Sequence, residues 1–349
     1  MKSAPHIVIA VALVLMFFQT NMHLQQFTVE LSDHGVYEMN AARLQGKQLG
    51  PLQPFNFSQV FSNVSEHGEI ADPPPIETWL LDDPNPNVDG ETNTNLTGIP
   101  RTINKIFFQK SGGFPAEYPD VLLAAHKTWI DMNPGYNIRY YDLTTARKYL
   151  ARHFHPVFLR AFDCQPAFAS KSDVFRMTLL YREGGWHSDW KQSCLQDRLL
   201  DSISNTTNFF ATWDMWKSND YEFHKCAQNA FVGSVAKHPI ISKMLELLLI
   251  NIQTAHYGPS ALDATSTCIF GRAIQMSEKE HNSENFSLVA GEHTKGKFKW
   301  RGKDVVLHKC EGCGGGQDWG ETGNSYTLLY KHRRFYCEDA ASIYTTTSQ

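Results

Sequence analysis

Apolar and polar residues follow two regular periods from residue 99 onward. Stretches that alternate apolar and polar residues predict strands, and apolar residues spaced three and four apart predict helices. Strands are predicted over residues 101–109, 137–142, 208–212 and 325–330, and helices over residues 118–131, 144–153 and 239–251. Because strands and helices alternate along the chain, we expect an α/β fold with a mostly parallel central sheet.

The residues before this region follow neither period. An unbroken apolar run over residues 7–18 follows a single charge at Lys2, which predicts an uncleaved signal anchor, with a cleaved signal peptide as the alternative. The next stretch is rich in Pro, Asn and Asp toward its end and is predicted to be a stem. The predicted segments are residues 1–22 for the cytosolic tail and anchor, 23–98 for the stem or linker, 99–337 for the folded domain and 338–349 for a C-terminal tail.

The composition is typical of a protein in the secretory lumen. Acceptor sequences for N-glycosylation occur at Asn56, Asn63, Asn95, Asn205 and Asn285. The seven cysteines predict disulfides with one thiol left over. Cys310 and Cys313 are predicted to form a disulfide rather than half of a zinc site. A net charge of −4 offers no basic surface for nucleic acid, so we expect no nucleic-acid partner.

Residues 170–194 contain the strongest candidate chemistry. Ser170 or Ser172 is predicted to cap a helix that runs to Tyr181 and ends before a pair of glycines. Asp173 and Arg176 are three residues apart, so they lie on the same face of that helix. A carboxylate beside a guanidinium offers directional hydrogen bonds to the vicinal hydroxyls of a sugar.

A short strand is predicted over residues 186–190, directly after the glycines. Side chains alternate along a strand, so His187, Asp189 and Lys191 are predicted to point to the same side. An acid at the end of such a strand, with a second group two residues later, suits the binding of a diphosphate and a metal ion. The segment therefore predicts a site for a sugar diphosphate.

This segment resembles the DXD signature region of glycosyltransferase family 32. Shorter stretches also resemble the family, namely residues 99–103, 133–136, 229–231 and 238–239. The residues that match the signature are Ser172, Asp173, Arg176, Leu180, Gly184, Gly185 and Asp189. The resemblance implies a GT-A-like nucleotide-diphospho-sugar transferase fold in residues 99–337. It also implies retaining transfer of a hexose from GDP-mannose or a UDP-hexose to a glycan or glycolipid. Together with the predicted anchor, we expect a type II membrane protein of the Golgi.

The resemblance implies a role for each site residue. Asp173 and Arg176 would hold the hydroxyls of the donor sugar. Asp189 would contact the ribose or the sugar and help place Mn²⁺. Phe107 would lie against the nucleotide base, where an aromatic face covers the ring at small entropic cost.

The sequence departs from the signature at the second acid, where Lys191 stands, and His187 replaces the usual tyrosine. Three alternatives follow. In the first, Lys191 neutralises the diphosphate without a metal. In the second, Asp189 and a C-terminal group still hold a metal, with Glu321 and Asn324 as the leading candidates for that group. In the third, the chain is an inactive sugar- or nucleotide-binding protein. Other candidates near that C-terminal group are Asp318, Trp319 and Ser325. Candidates that could line the acceptor cleft are Trp213, Asp214 and Trp216, with a structural role as the alternative.

Overall fold

Two compact units, Met1–Gln53 and Pro54–Gln349, make up the chain in a computed structural model. The structure describes residues 27–31, 37–41, 75–81, 98–218, 223–280, 288–313 and 324–344. In the first unit, β1 (Phe27–Leu31) pairs antiparallel with β2 (Tyr37–Ala41). The predicted anchor and four of the five predicted glycosylation sites lie outside the described residues, whereas Asn205 is exposed.

The second unit is built on a nine-stranded sheet within the described residues, in the order β4-β3-β5-β8-β7-β9-β10-β11-β6. Its strands are β3 (Thr102–Ile106), β4 (Asn137–Tyr141), β5 (Gly185–Ser188), β6 (Ser193–Cys194), β7 (Phe209–Lys217), β8 (Lys225–Ser234), β9 (Leu288–Thr294), β10 (Lys297–Trp300) and β11 (Lys303–Leu307). Only the pairs β3–β4, β3–β5 and β7–β9 are parallel among these strands. The α/β class is confirmed, but the sheet is mixed, because hairpins such as β7–β8 and β10–β11 join neighbouring strands directly.

Helices cover both faces of this sheet. They are α1 (Asp120–Met132), α2 (Leu143–His153), α3 (Pro156–Asp163), α4 (Phe168–Glu183), α5 (Leu199–Ser204), α6 (Pro239–Gln253), α7 (Ala261–Ala264), α8 (Thr267–Glu280) and α9 (Tyr326–Lys331). Phe209 packs into the core beneath α4 and α6, whereas the next residue, Phe210, packs into the core beneath α1 and α5. Consecutive strand side chains point to opposite faces, so β7 contributes to both cores.

Local sequence explains where several helices begin. Asp142 and Thr145 form a reciprocal capping box at the start of α2. His238 accepts a hydrogen bond from the backbone N–H of Ile240, and Pro239 occupies the first turn of α6. Residues 325–330, predicted to be a strand, instead form most of α9, because the Ser325 hydroxyl accepts from the N–H of Leu328 and caps a helix.

Two segments outside the predicted folded domain pack against it. Within the predicted stem, Trp79 is 2% exposed and contacts Phe158 and Tyr181. Within the predicted tail, Ile343 is buried and its carbonyl accepts a hydrogen bond from Arg160. The burial of these apolar side chains stabilises segments whose composition alone predicts a linker.

Disulfides join Cys164 to Cys337, Cys226 to Cys268 and Cys310 to Cys313, and Cys194 is the remaining buried thiol. The predicted disulfide between Cys310 and Cys313 is therefore present. The Cys164–Cys337 disulfide joins the end of α3 to the chain after α9. No helix in the described part of the chain is long and apolar enough to span a bilayer.

Candidate functional site

Helix α4 supplies Asp173 and Arg176, and both side chains are buried. The helix begins at Phe168 and has no side-chain cap, so the predicted capping by Ser170 or Ser172 is wrong. Ser172 lies inside the helix, where its hydroxyl accepts a hydrogen bond from Arg176 Nη2 at 3.1 Å. The serine therefore orients the guanidinium instead of starting the helix.

The paired glycines let the chain turn sharply from α4 into β5. Gly184 and Gly185 have φ angles of 68° and 88°, which disfavour side chains. A Cβ at Gly184 would lie 2.7 Å from Ser234 O, and a Cβ at Gly185 would lie 2.9 Å from Thr102 O. Only glycine fits both positions, so these residues set the direction in which the following carboxylate is presented.

Asp189 follows the end of β5, and its backbone N–H donates to Ala230 O at 3.0 Å. The strand ends at Ser188, and a turn closed by the hydrogen bond from Gln192 N to Asp189 O holds the next residues. Lys191 lies in that turn, so the predicted strand alternation does not extend to it. Cys310 N donates to Lys191 O at 2.7 Å, which ties the turn to the chain after β11.

Arg176 joins the helical carboxylate to the strand-end carboxylate. Its Nη2 lies 3.5 Å from Asp173 Oδ1, and its Nη1 lies 3.5 Å from Asp189 Oδ1. Nη1 also donates to Asn229 O at 2.7 Å. The structure thus brings together the three residues that the sequence predicts for the donor sugar.

Asp173 is held by three donors. Besides Arg176, these donors are Asn229 Nδ2, which lies 2.8 Å from Asp173 Oδ1, and Thr265 Oγ1, which lies 3.2 Å from Asp173 Oδ2. Burial raises the pKa of Asp173 to about 7, with the Asp189 charge adding to the rise and Arg176 opposing it. The resemblance pointed to Asn229 as a motif residue but gave it no role, and Thr265 has no sequence signal.

Asp189 differs from Asp173 in exposure and in charge. Its side chain is 40% exposed and accepts a hydrogen bond from His187 Nε2 at 2.9 Å. Burial acts to raise the pKa of Asp189, but Arg176 and His187 outweigh it and hold that pKa well below its ordinary value. Burial and Arg176 lower the pKa of His187 to about 4, so a neutral His187 donates to an ionised Asp189.

Lys105 is a buried residue that the sequence prediction missed. Its Nζ donates to Ser188 Oγ at 3.0 Å and to Asp189 O at 3.3 Å, and it lies 4.8 Å from the centre of the Trp129 ring. Burial lowers its pKa to about 7, against the raising effect of the Asp189 charge. A lysine within the apolar strand β3 was the available signal.

Aromatic rings gather where Phe107 was predicted to meet a nucleotide base. Phe107 contacts Tyr118 and Trp190, with ring centres 5.3 Å and 6.0 Å apart. Tyr118 stacks on Trp190 at 4.6 Å, and His126 lies 5.0 Å from the same indole. Trp190 follows Asp189 directly, so the cluster adjoins the carboxylate; sequence reasoning named only Phe107.

Among the C-terminal residues predicted to contact a metal or the diphosphate, Asn324 lies at the start of α4 instead. Asn324 accepts a hydrogen bond from Phe168 N at 2.8 Å and donates to Pro166 O at 3.2 Å, so its amide holds the start of α4. Glu321, Asp318 and Trp319 lie outside the described residues. Within the described ranges, no group of three or more His, Cys, Asp and Glu side chains could hold a metal ion.

A protein-family model described as "Glycosyltransferase sugar-binding region containing DXD motif" matches residues 119–210. This region contains Asp173, Arg176 and Asp189, so the sequence and the geometry point to the same site. The predicted resemblance to the DXD signature region is thereby confirmed for this part of the chain.

One similar protein is "Inositol phosphoceramide mannosyltransferase 3" of Schizosaccharomyces pombe, 31% identical over 87 residues. The matched segment spans 25% of this chain and 24% of the yeast protein. Among solved structures, the PaToxG glycosyltransferase has a TM-score of 0.40 at 16% identity, over 53% of this chain and 71% of that one. The ligand-free glycosyltransferase domain from the YGT toxin has a TM-score of 0.36 at 10% identity, over 57% and 80% of the two chains.

Proposed function

We propose that this chain is a retaining glycosyltransferase that transfers a hexose from a nucleotide sugar to a glycan or glycolipid. The observation that carries the proposal is the position of Arg176, at 3.5 Å from both Asp173 and Asp189. These residues lie inside the matched sugar-binding region. A guanidinium between two carboxylates forms a row of acceptors and donors that suits the hydroxyls of one sugar ring.

The ionisation of Asp189 supports a front-face reaction. A carboxylate whose pKa is held below its ordinary value is a weak base at neutral pH, so Asp189 is a poor acceptor for the proton of the incoming hydroxyl. We propose that an oxygen of the departing diphosphate takes that proton. The new glycosidic bond then forms on the face from which the diphosphate leaves, and the configuration at the anomeric carbon is retained.

The departing diphosphate needs a cation, and Lys191 is our first choice. It lies in the turn next to Asp189, where the signature has an acid. An ammonium neutralises a diphosphate as a point charge. The alternative is Mn²⁺ held by Asp189 with Glu321, where the metal would supply the same charge.

The acceptor and the cellular location extend the proposal. The S. pombe relative is named as a mannosyltransferase of inositol phosphoceramide, which supports GDP-mannose as the donor and a glycolipid as the acceptor to test first. The apolar run before the stem supports a type II anchor with the catalytic domain in the Golgi lumen.

The test is donor turnover by the purified full chain. Release of nucleotide from GDP-mannose and from UDP-hexoses is measured with Mn²⁺ and with a chelator, for the wild type and for Asp189→Ala. We expect turnover of one donor and its loss in the variant. Equal turnover in both proteins would contradict the proposal.

A second candidate is a lumenal sugar-binding protein of the same fold without turnover. Lys191 favours it, because the residue replaces an acid of the signature. Such a protein would raise its unfolding temperature with a nucleotide sugar while releasing no nucleotide, so a thermal-shift measurement beside the turnover assay separates the candidates.

A further inference from the structure

Three side chains from separate parts of the sheet form a hydrogen-bonded row beside the donor site. Asp214 Oδ1 lies 3.1 Å from His293 Nδ1, and His293 Nε2 lies 3.0 Å from His308 Nδ1. Asp214 is on β7, His293 is on β9 and His308 directly follows β11. The side chains of Asp214 and His293 are only 1% and 8% exposed, so the first hydrogen bond is shielded from water.

The direction of each hydrogen bond follows from the first acceptor. The carboxylate oxygen of Asp214 is the acceptor in the first hydrogen bond, so His293 carries its proton on Nδ1. In its neutral form, His293 then has a lone pair on Nε2. His308 must donate to it from Nδ1, which leaves the lone pair of His308 on Nε2.

Asp214 is itself held in place. Gln228 Nε2 donates to its Oδ2 at 2.5 Å, and the backbone N–H of Trp216 donates to its Oδ1 at 3.3 Å. β7 and β9 pair in parallel, with Trp213 opposite Glu292, so the register of the sheet places Asp214 opposite His293. The start of the row is therefore fixed by backbone pairing as well as by side chains.

The other end of the row reaches the donor site. Leu307 pairs with Ser193, and Cys310 N donates to Lys191 O, so His308 lies alongside the turn that begins at Asp189. The charge of His308 acts on Asp189, and that of Asp189 acts on His308. The hydrogen bond to His293 uses Nδ1 of His308, which leaves Nε2 as the ring nitrogen that can bond to another group.

We propose that Asp214 and His293 are positioning residues that hold His308 with an unprotonated Nε2 at the edge of the donor site, as an acceptor for a sugar hydroxyl. A hydrogen bond on one ring nitrogen determines which nitrogen carries the proton. An imidazole without such a hydrogen bond has no fixed tautomer. The role of the hydroxyl rests on the proposed function. The position of the protons does not, and it is measured separately.

The test is nuclear magnetic resonance of the full chain labelled with ¹⁵N-histidine at pH 8. Two-bond ¹⁵N–¹H correlations report which ring nitrogen carries the proton, and His308→Gln assigns the signals. We expect the wild-type His308 to be protonated on Nδ1. In Asp214→Ala we expect a population protonated on Nε2, because His293 is no longer held. Protonation of wild-type His308 on Nε2 would overturn the proposal.

A matched pair of variants tests the role in transfer. His293→Gln keeps an amide donor for Asp214 and an oxygen acceptor for His308, whereas His293→Phe keeps a ring without either. We expect His293→Phe to lower transfer by roughly 10–100-fold per folded protein and His293→Gln to restore most of it. Asp304→Ala, at a partly exposed aspartate on β11, is the control. Equal losses in the Gln and Phe variants would contradict positioning by hydrogen bonds. No turnover by a wild type whose His308 is protonated on Nδ1 would contradict the proposed function and not the position of the protons.

Discussion

Two sides of the site differ in how the chain builds them. The side formed by α4 and the start of the Asp189 turn comes from residues 173–189, so its spacing is visible in the sequence. The side formed by Asp214, His293 and His308 comes from strands β7 and β9 and from the residue after β11, all far along the chain from residues 173–189 except for β7. The first side holds charged groups together, and the second side holds two imidazole rings in a row that begins at a carboxylate. Local spacing in the sequence therefore reveals the charged groups of this site, whereas the register of the sheet sets the directions of its hydrogen bonds.

The largest expected effect is on the charged side. In Arg176→Met, the carboxylates of Asp173 and Asp189 would lose the cation between them, and Asn229 O would lose its donor. We expect transfer to fall by roughly 100-fold or more. Arg176→Lys should not restore it, because one ammonium cannot span three acceptors as a guanidinium does. A rate within a few fold of wild type, in a variant whose circular dichroism is unchanged, would remove Arg176 from the site.

The sequence predicted the charged side because helix and strand periods are local. Asp173 and Arg176 are one turn apart on any helix, and the glycines mark its end. The order of strands is set by pairing between distant segments, so the mixed sheet and the approach of His308 were not predicted. The reversal of the chain after Ser188 takes Lys191 out of the strand. It depends on the hydrogen bond from Asp189 N to Ala230 O and on the one from Gln192 N to Asp189 O.

Lys191 tests which cation serves the charged side. We expect Lys191→Ala to lower transfer by roughly 10–100-fold, because the diphosphate loses its point charge. Lys191→Asp should lose activity with a chelator and regain it with Mn²⁺, since a second acid near Asp189 completes a metal-binding pair. Turnover assays across a Mn²⁺ titration measure this. Mn²⁺-dependent wild-type activity that survives Lys191→Ala would favour the metal alternative.

Lys105 is buried next to the turn that presents Asp189. Lys105→Met removes the donors to Ser188 and to Asp189 O but keeps an apolar chain of similar length. We expect transfer to fall by about tenfold, because the turn that presents Asp189 loosens. The unfolding temperature should change little, since an apolar side chain replaces a fully buried amine. A large drop in unfolding temperature with normal activity would assign Lys105 to stability alone.

The smallest effect concerns the pH dependence of stability. The pKa of Asp173 is raised by burial from 3.8 to about 7 in the folded chain. Between these values the folded state binds a proton that the unfolded state lacks, so this group's contribution to stability falls as the pH rises toward 7. Asp173→Asn cannot ionise. The unfolding temperature of this variant relative to that of the wild type should therefore rise by a few degrees between about pH 5 and pH 8. Asp304→Asn, at a partly exposed aspartate, should show no such gain. A constant difference in unfolding temperature between Asp173→Asn and the wild type would contradict the raised pKa.

The most direct test of the donor site is the dissociation constant of the nucleotide sugar that the turnover assay selects. Isothermal titration calorimetry compares the full-length wild type with Asp189→Asn and with Asp304→Asn. We expect Asp304→Asn to bind as the wild type does, whereas Asp189→Asn should bind at least about tenfold more weakly, because it loses charge-assisted hydrogen bonds at the sugar. The same dissociation constant in Asp189→Asn and the wild type would contradict the placement of Asp189 in the donor site.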